Sequence, residues 1–172
     1  MQRMLNALSV SLLLGKICFS LHFSMVLHGI TIGFAILILI YHQLTTLVSL
    51  FPWNDTSKYT KREIIAEAGS NGLLMGAGVL CLLLPNKGFC HFYPLFYYPF
   101  LFTGEISQWR LPYFSDKFSK MRLGDDFDIR FARTIKLFKT QNGKQLPDAN
   151  YILLHLLTLI TLILVFVDRV HV

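Results

Sequence analysis

Between Ile17 and Asn54 the chain has no Lys, Arg, Asp or Glu. That run is longer than the roughly 20 residues needed to cross a bilayer core, which excludes an ordinary solvated surface helix. Charge is scarce in the chain as a whole, at 15% against 53% hydrophobic residues, and mean hydropathy is +0.50. A soluble domain of 172 residues needs more charge than this to cover its surface, so the excess apolar surface calls for lipid. Cysteine is also sparse. Cys18, Cys81 and Cys90 form no CxxC pair, which argues against a disulfide framework or a zinc ribbon. Cys81 and Cys90 flank a tight loop where a bond is conceivable in an oxidising space, but small apolar thiols inside helices are the simpler reading. HExxH, ExxH and nucleophile-elbow patterns are missing, and there is no internal repeat.

What is present is a series of apolar segments divided by turn signals. They predict a single all-α domain over 1–172, an integral membrane helical bundle with four transmembrane helices at 24–51, 63–84, 89–107 and 149–167. The segment 1–23 resembles a signal sequence but contains Lys16. A lysine at mid-span costs roughly 2.5–3.5 kcal/mol on insertion scales. An interfacial helix, or an anchor continuous with the next helix, is therefore favoured over a fifth span.

Pro52-Trp53 closes the first span, with Trp suited to the headgroup boundary. Thr60 and Glu63 form a capping-box pattern that starts the second, and Asp148 is placed to cap the last. Ala68, Gly72 and Gly76 make a small-residue face for close helix packing, compatible with a homo-oligomer. The third span is rich in aromatics and contains Pro94 and Pro99, so a kink or break is expected.

Between the third and fourth spans lies a basic loop, 108–148. Within it 125–139 predicts an amphipathic surface helix with Phe127, Phe131, Ile135 and Phe138 on one face. Asp125, Asp126 and Asp128 open that helix, as the helix dipole favours. Hairpin topology puts this loop on the same side as 52–64. Nearly all cations beyond residue 52 fall in these two segments, against Lys87 and Arg169 on the other side. The positive-inside rule then makes both loops cytoplasmic in a multi-pass protein of the cell membrane. The cations implicate anionic lipid headgroups rather than nucleic acid as partners, because they sit beside spans. The Asn54-Asp55-Thr56 sequon would face away from the glycosylation machinery.

The first span carries a polar stripe of His28, Thr31, His42, Thr45 and Ser49, which continues through Ala35 and Ile38 at helical spacing. Such a stripe should face partner helices. Sorted by depth, each span offers one ionisable group near its cytoplasmic end: His42, Glu67, Glu105 and His155, supported by Asn71, Tyr151 and Thr158. Two imidazoles and two carboxylates suit zinc, iron or manganese, a proton relay, or plain interhelical hydrogen bonding. Haem ligation by His28 and His42 lacks a matching pair, because His171 lies past Asp168 and Arg169 and His91 stands alone. No cofactor is specified. The leading expectation is a non-enzymatic accessory, resistance or immunity-type membrane factor. The alternatives are a small transporter or channel component, and a membrane-embedded metal-dependent enzyme using the His/Glu cluster.

Overall fold

The computed structural model describes residues 2–84, 87–114, 131–137 and 148–171. Among the described residues it contains four α-helices and no strand: α1 Gln2–Leu47, α2 Lys61–Leu83, α3 Phe89–Phe114 and α4 Ala149–His171. Each helix packs against two others, α1 and α3 both lying between α2 and α4, which closes a four-membered ring. Three helices are long and apolar enough to cross a membrane, over Cys18–Leu47, Lys61–Leu83 and Ala149–Val170. The aromatic α3, with its three prolines, Pro94, Pro99 and Pro112, and its polar end, is not among them.

The helix starts follow from local chemistry. Thr60 Oγ1 accepts from Glu63 N at 3.2 Å, and Glu63 Oε2 accepts from Thr60 N at 2.7 Å, so the capping box begins α2. Asp148 Oδ1 accepts from Tyr151 N at 3.0 Å and caps α4. The 3-10 turn Thr56–Lys58 is capped in the same way by Asp55.

The first helix differs from expectation at both ends. It is one continuous 46-residue helix, so residues 2–23 form no helix separate from the one that follows. It stops at Leu47 rather than Phe51, because the Asn54 amide turns back to donate to the carbonyls of Thr45 and Val48 while its Oδ1 accepts from Leu50 N. Ser49 lies beyond that stop and is exposed.

The third helix runs unbroken through Pro94 and Pro99 and past Trp109 to Phe114. Pro94 is fully buried, and Tyr93 and Tyr97 stack on each other at 5.5 Å with rings 9° apart. The surface helix is also revised. Residues 131–137 form turns and bends, not helix, while 125–130 and 138–139 lie outside the described residues. Ile135 N donates to Pro52 O at 3.0 Å and Ile135 O accepts from Ala149 N at 2.9 Å. Backbone groups committed to two other segments are not available to a helical ladder. Phe131 is buried edge-on against Tyr151 at 5.6 Å, whereas Ile135 is partly exposed.

The packing is inverted relative to a soluble bundle. Large apolar residues face outward from every helix, among them Ile40, Leu73, Phe96, Phe100 and Ile163. The interior mixes a core of Ala35, Ile38, Met75, Leu82, Tyr98 and Val165 with Thr31, His42, Glu105, His155, Thr158, Thr161, Asp168 and Arg169. The polar stripe of α1 from Thr31 to Thr45 is this buried face. Close approach of α2 to α1 is set at Gly72, where a Cβ would come within 2.9 Å of Gln43 Nε2. That amide donates to Ala68 O at 3.1 Å.

Candidate functional site at the loop end of the bundle

The loop after α1, the 131–137 segment and the start of α4 meet at one end of the bundle. Besides the Ile135–Pro52 bond, Arg133 lies over the Phe51 ring at 4.8 Å. Beneath this junction is a cavity of about 40 Å³ between α1, α2 and α4. Its polar wall includes His42, Asn54, Asp55, Tyr59, Glu67, Asp148, Asn150 and Tyr151, and Ile64, Phe131 and Leu154 supply apolar surface. Among the described residues no Lys or Arg lines it.

His42 is 7% exposed and held on both sides. Its Nε2 lies 3.2 Å from Asn71 Nδ2 and its Nδ1 lies 3.4 Å from Thr46 Oγ1. A neutral ring with the proton on Nδ1 fits both contacts, as acceptor from the Asn71 amide and donor to Thr46. Behind the lining residue Asn150, Trp53 Nε1 donates to Tyr41 Oη at 2.9 Å, and Tyr41 donates to Asn150 Oδ1 at 2.7 Å. This chain ties the loop after α1 to the start of α4.

Two cavity carboxylates have opposite surroundings. Hydrogen bonds from Ser57, with help from Arg133 and Lys58, hold Asp55 below the usual carboxylate range. Burial pushes Asp148 above that range, only partly offset by its bond from Tyr151 N and by Thr134 and Lys136. Burial also lowers Lys136, whose Nζ donates to Thr134 Oγ1 at 3.3 Å. Asp55 therefore supplies the firmer negative charge.

Of the residues expected to converge, His42, Glu67 and Tyr151 share the cavity wall, and Asn71 holds His42 from behind. Glu105 and His155 are not part of that wall. Glu105 meets Thr158, whose Oγ1 is 2.8 Å from Glu105 Oε1, and the His155 ring packs edge-on to Tyr151 at 6.4 Å. The cavity wall thus holds two of the four ionisable groups. Among the described residues no three His, Cys, Asp or Glu side chains stand close enough to hold a metal ion.

His28 lies away from the cavity. Its Nδ1 lies 3.0 Å from Asp168 Oδ2 at the far end of the bundle. Asp168 and Arg169 are buried there, and Arg169 Nη2 donates to Cys81 O at 3.3 Å. Both charges lie within the apolar segment Ala149–Val170 of α4, three residues longer than the expected span 149–167. Their phase was visible, since Asp168 continues the face of Thr158, Thr161 and Val165 at helical spacing. Asn54, Asp55, Tyr59 and Asn150 were also missed, because no helical period places loop residues. The three cysteines are free thiols, and Cys81 is buried.

No protein-family model, curated protein or solved structure matches the chain, so the chemistry of the site rests on its own residues.

Proposed function

We propose that the protein is a four-span membrane protein that binds a small cationic solute in the loop-end cavity and serves as a solute-binding or transport component. The observation that carries this reading is the composition of the wall: Asp55, Glu67 and Asp148, with no Lys or Arg among the described lining residues. A cavity of about 40 Å³ has room for only a few water molecules, so the ligand is on the scale of ammonium or the head of a primary amine. Asn54, Asn150, Tyr59 and Tyr151 offer the neutral oxygens that would orient N–H donors. The accessory-factor reading accounts for the packing but gives no role to a carboxylate-lined cavity. The metalloenzyme reading needs ligands that are not assembled among the described residues, and both ring nitrogens of His42 are already engaged.

The fourth span is α3. Its exposed stripe of Phe89, Phe92, Phe96 and Phe100 recurs at helical spacing, as a lipid-facing side would. The loop end is cytoplasmic by the positive-inside rule, and the membrane is the cell membrane.

Full-length protein in detergent should be stabilised thermally by methylammonium chloride but not by the same concentration of sodium chloride. Glu67→Gln should abolish the difference. Equal responses to the two salts in the wild type would refute the cation site.

A further inference from the structure

A second polar cluster lies away from the cavity, where α3 meets α4. Glu105 is 9% exposed and makes one hydrogen bond, to Thr158. Its Oε2 has no hydrogen-bond partner, and neither do the buried hydroxyls of Tyr97 and Tyr98 on the same helix. Thr158 and, a turn away, His155 come from α4; Tyr97 is the titratable neighbour on α3. Among the described residues no cation from α1, α2 or α4 forms an ion pair with Glu105.

The hydrogen count decides the state of this carboxyl. Thr158 Oγ1 lies 2.8 Å from Glu105 Oε1 and 3.0 Å from Leu154 O, and both are acceptors if Glu105 is ionised. One hydroxyl proton cannot serve two acceptors fully. An ionised Glu105 would then hold a charge in the bundle interior with one shared donor and no counter-ion, which is costly. A neutral Glu105 removes the conflict. Its O–H donates to Thr158 Oγ1, and Thr158 donates to Leu154 O.

We propose that Glu105 is a proton-binding site inside the bundle, resting as the carboxylic acid bonded to Thr158 and exchanging its proton with the loop-end cavity. On release the Glu105 O–H bond breaks, the electron pair stays on the carboxylate, and the proton passes to water in the cavity; uptake reverses each change. The direction follows from α4. Toward the loop end its inner face carries Thr158, His155, Tyr151 and Asp148, all able to hydrogen-bond. Toward the far end fully buried Val165 interrupts the face before Asp168. This inference is independent of the cavity's occupant.

The test is infrared spectroscopy of the full chain in phosphatidylcholine–phosphatidylglycerol vesicles at neutral pH. A protonated-carboxyl stretching band should be present in the wild type and lost in Glu105→Gln. It should move to higher wavenumber in Thr158→Val, where the acid loses its bond, and alkaline titration should remove it reversibly. A wild-type spectrum without the band, or a folded Glu105→Gln variant that keeps it, would overturn the proposal. If Glu105→Gln does not fold, Thr158→Val decides, because an unchanged band there means that the acid is not Glu105. A band that persists under alkali until the protein unfolds would overturn proton exchange.

Discussion

His42 on α1 and Asn71 on α2 are joined by a side-chain hydrogen bond, with Nε2 and Nδ2 3.2 Å apart, beside the loop-end cavity. Apolar burial does not by itself drive helices together in lipid, so such a bond has a larger share in holding α1 to α2 than it would in water. Asn71→Ala should lower stability by about 1–3 kcal/mol, because it leaves a buried ring nitrogen without its donor. A double-mutant cycle with His42→Ala, read by steric-trap or denaturant unfolding in bicelles, should return a coupling of about 0.6–1.7 kcal/mol. A coupling of zero would mean that the contact does not form.

Gly72 and Gly76 lie on the same face of α2 but should respond differently. At Gly72 an added Cβ meets Gln43 Nε2 at 2.9 Å, whereas at Gly76 it meets nothing within 4 Å. Gly72→Ala should push the flexible Gln43 amide off Ala68 O and cost about 1 kcal/mol net. Gly76→Ala should be neutral or slightly stabilising, since alanine is the better helix former. Unfolding of the two variants side by side checks this, and equal effects would contradict the close approach at Gly72.

The buried charges at the far end should behave as a set. Arg169→Leu removes the cation 4.0 Å from Asp168 Oδ2 and should cost about 3 kcal/mol or more. His28→Phe should cost less, because His28 is 36% exposed and reaches solvent or headgroups. The double substitution Asp168→Leu with Arg169→Leu should recover most of the loss, since it leaves no unpaired charge behind. A double variant no better than Arg169→Leu would show that the two charges act separately.

Asp148 predicts a pH dependence. Burial raises its folded value above the ordinary one, so the folded state holds this proton more tightly than the unfolded state does. As pH rises from the ordinary carboxylate value through the raised one, the unfolded chain loses its proton first and stability falls; above both values the loss is complete. Asp148→Asn keeps a good helix cap and should remove this part of the profile. Stability measured against pH for both proteins checks the sign, and a wild type that gains stability across that window from this group would reverse it.

Topology can be read with reporter fusions. Fusions after Lys58 and Lys144 should report the cytoplasm, and one after Lys87 should report the opposite side. An external signal at Lys144 would invert the assignment and with it the side from which the cavity is reached.

Periodicity alone was enough for the helical class, the starts of α2 and α4, and the inward face of α1 from Thr31 to Thr45. Those features depend on neighbours within a turn or two: a capping oxygen, a proline, or the 3.6-residue repeat of polar side chains. Depth along the spans also put His42 and Glu67 at the same level. Long-range contacts decided the rest. Pro94 and Pro99 reside in a continuous helix because the packed bundle holds α3, and 131–137 is a turn because its backbone bonds go to Pro52 and Ala149. Glu105 does not line the cavity that His42 lines because depth does not specify rotation: a residue's level follows from its number, but its facing partner depends on how each helix turns in the ring. Asp168 and Arg169 make the same point. Composition placed them at a water boundary, and only the fold supplies the His28 side chain and the Cys81 carbonyl that make their burial affordable.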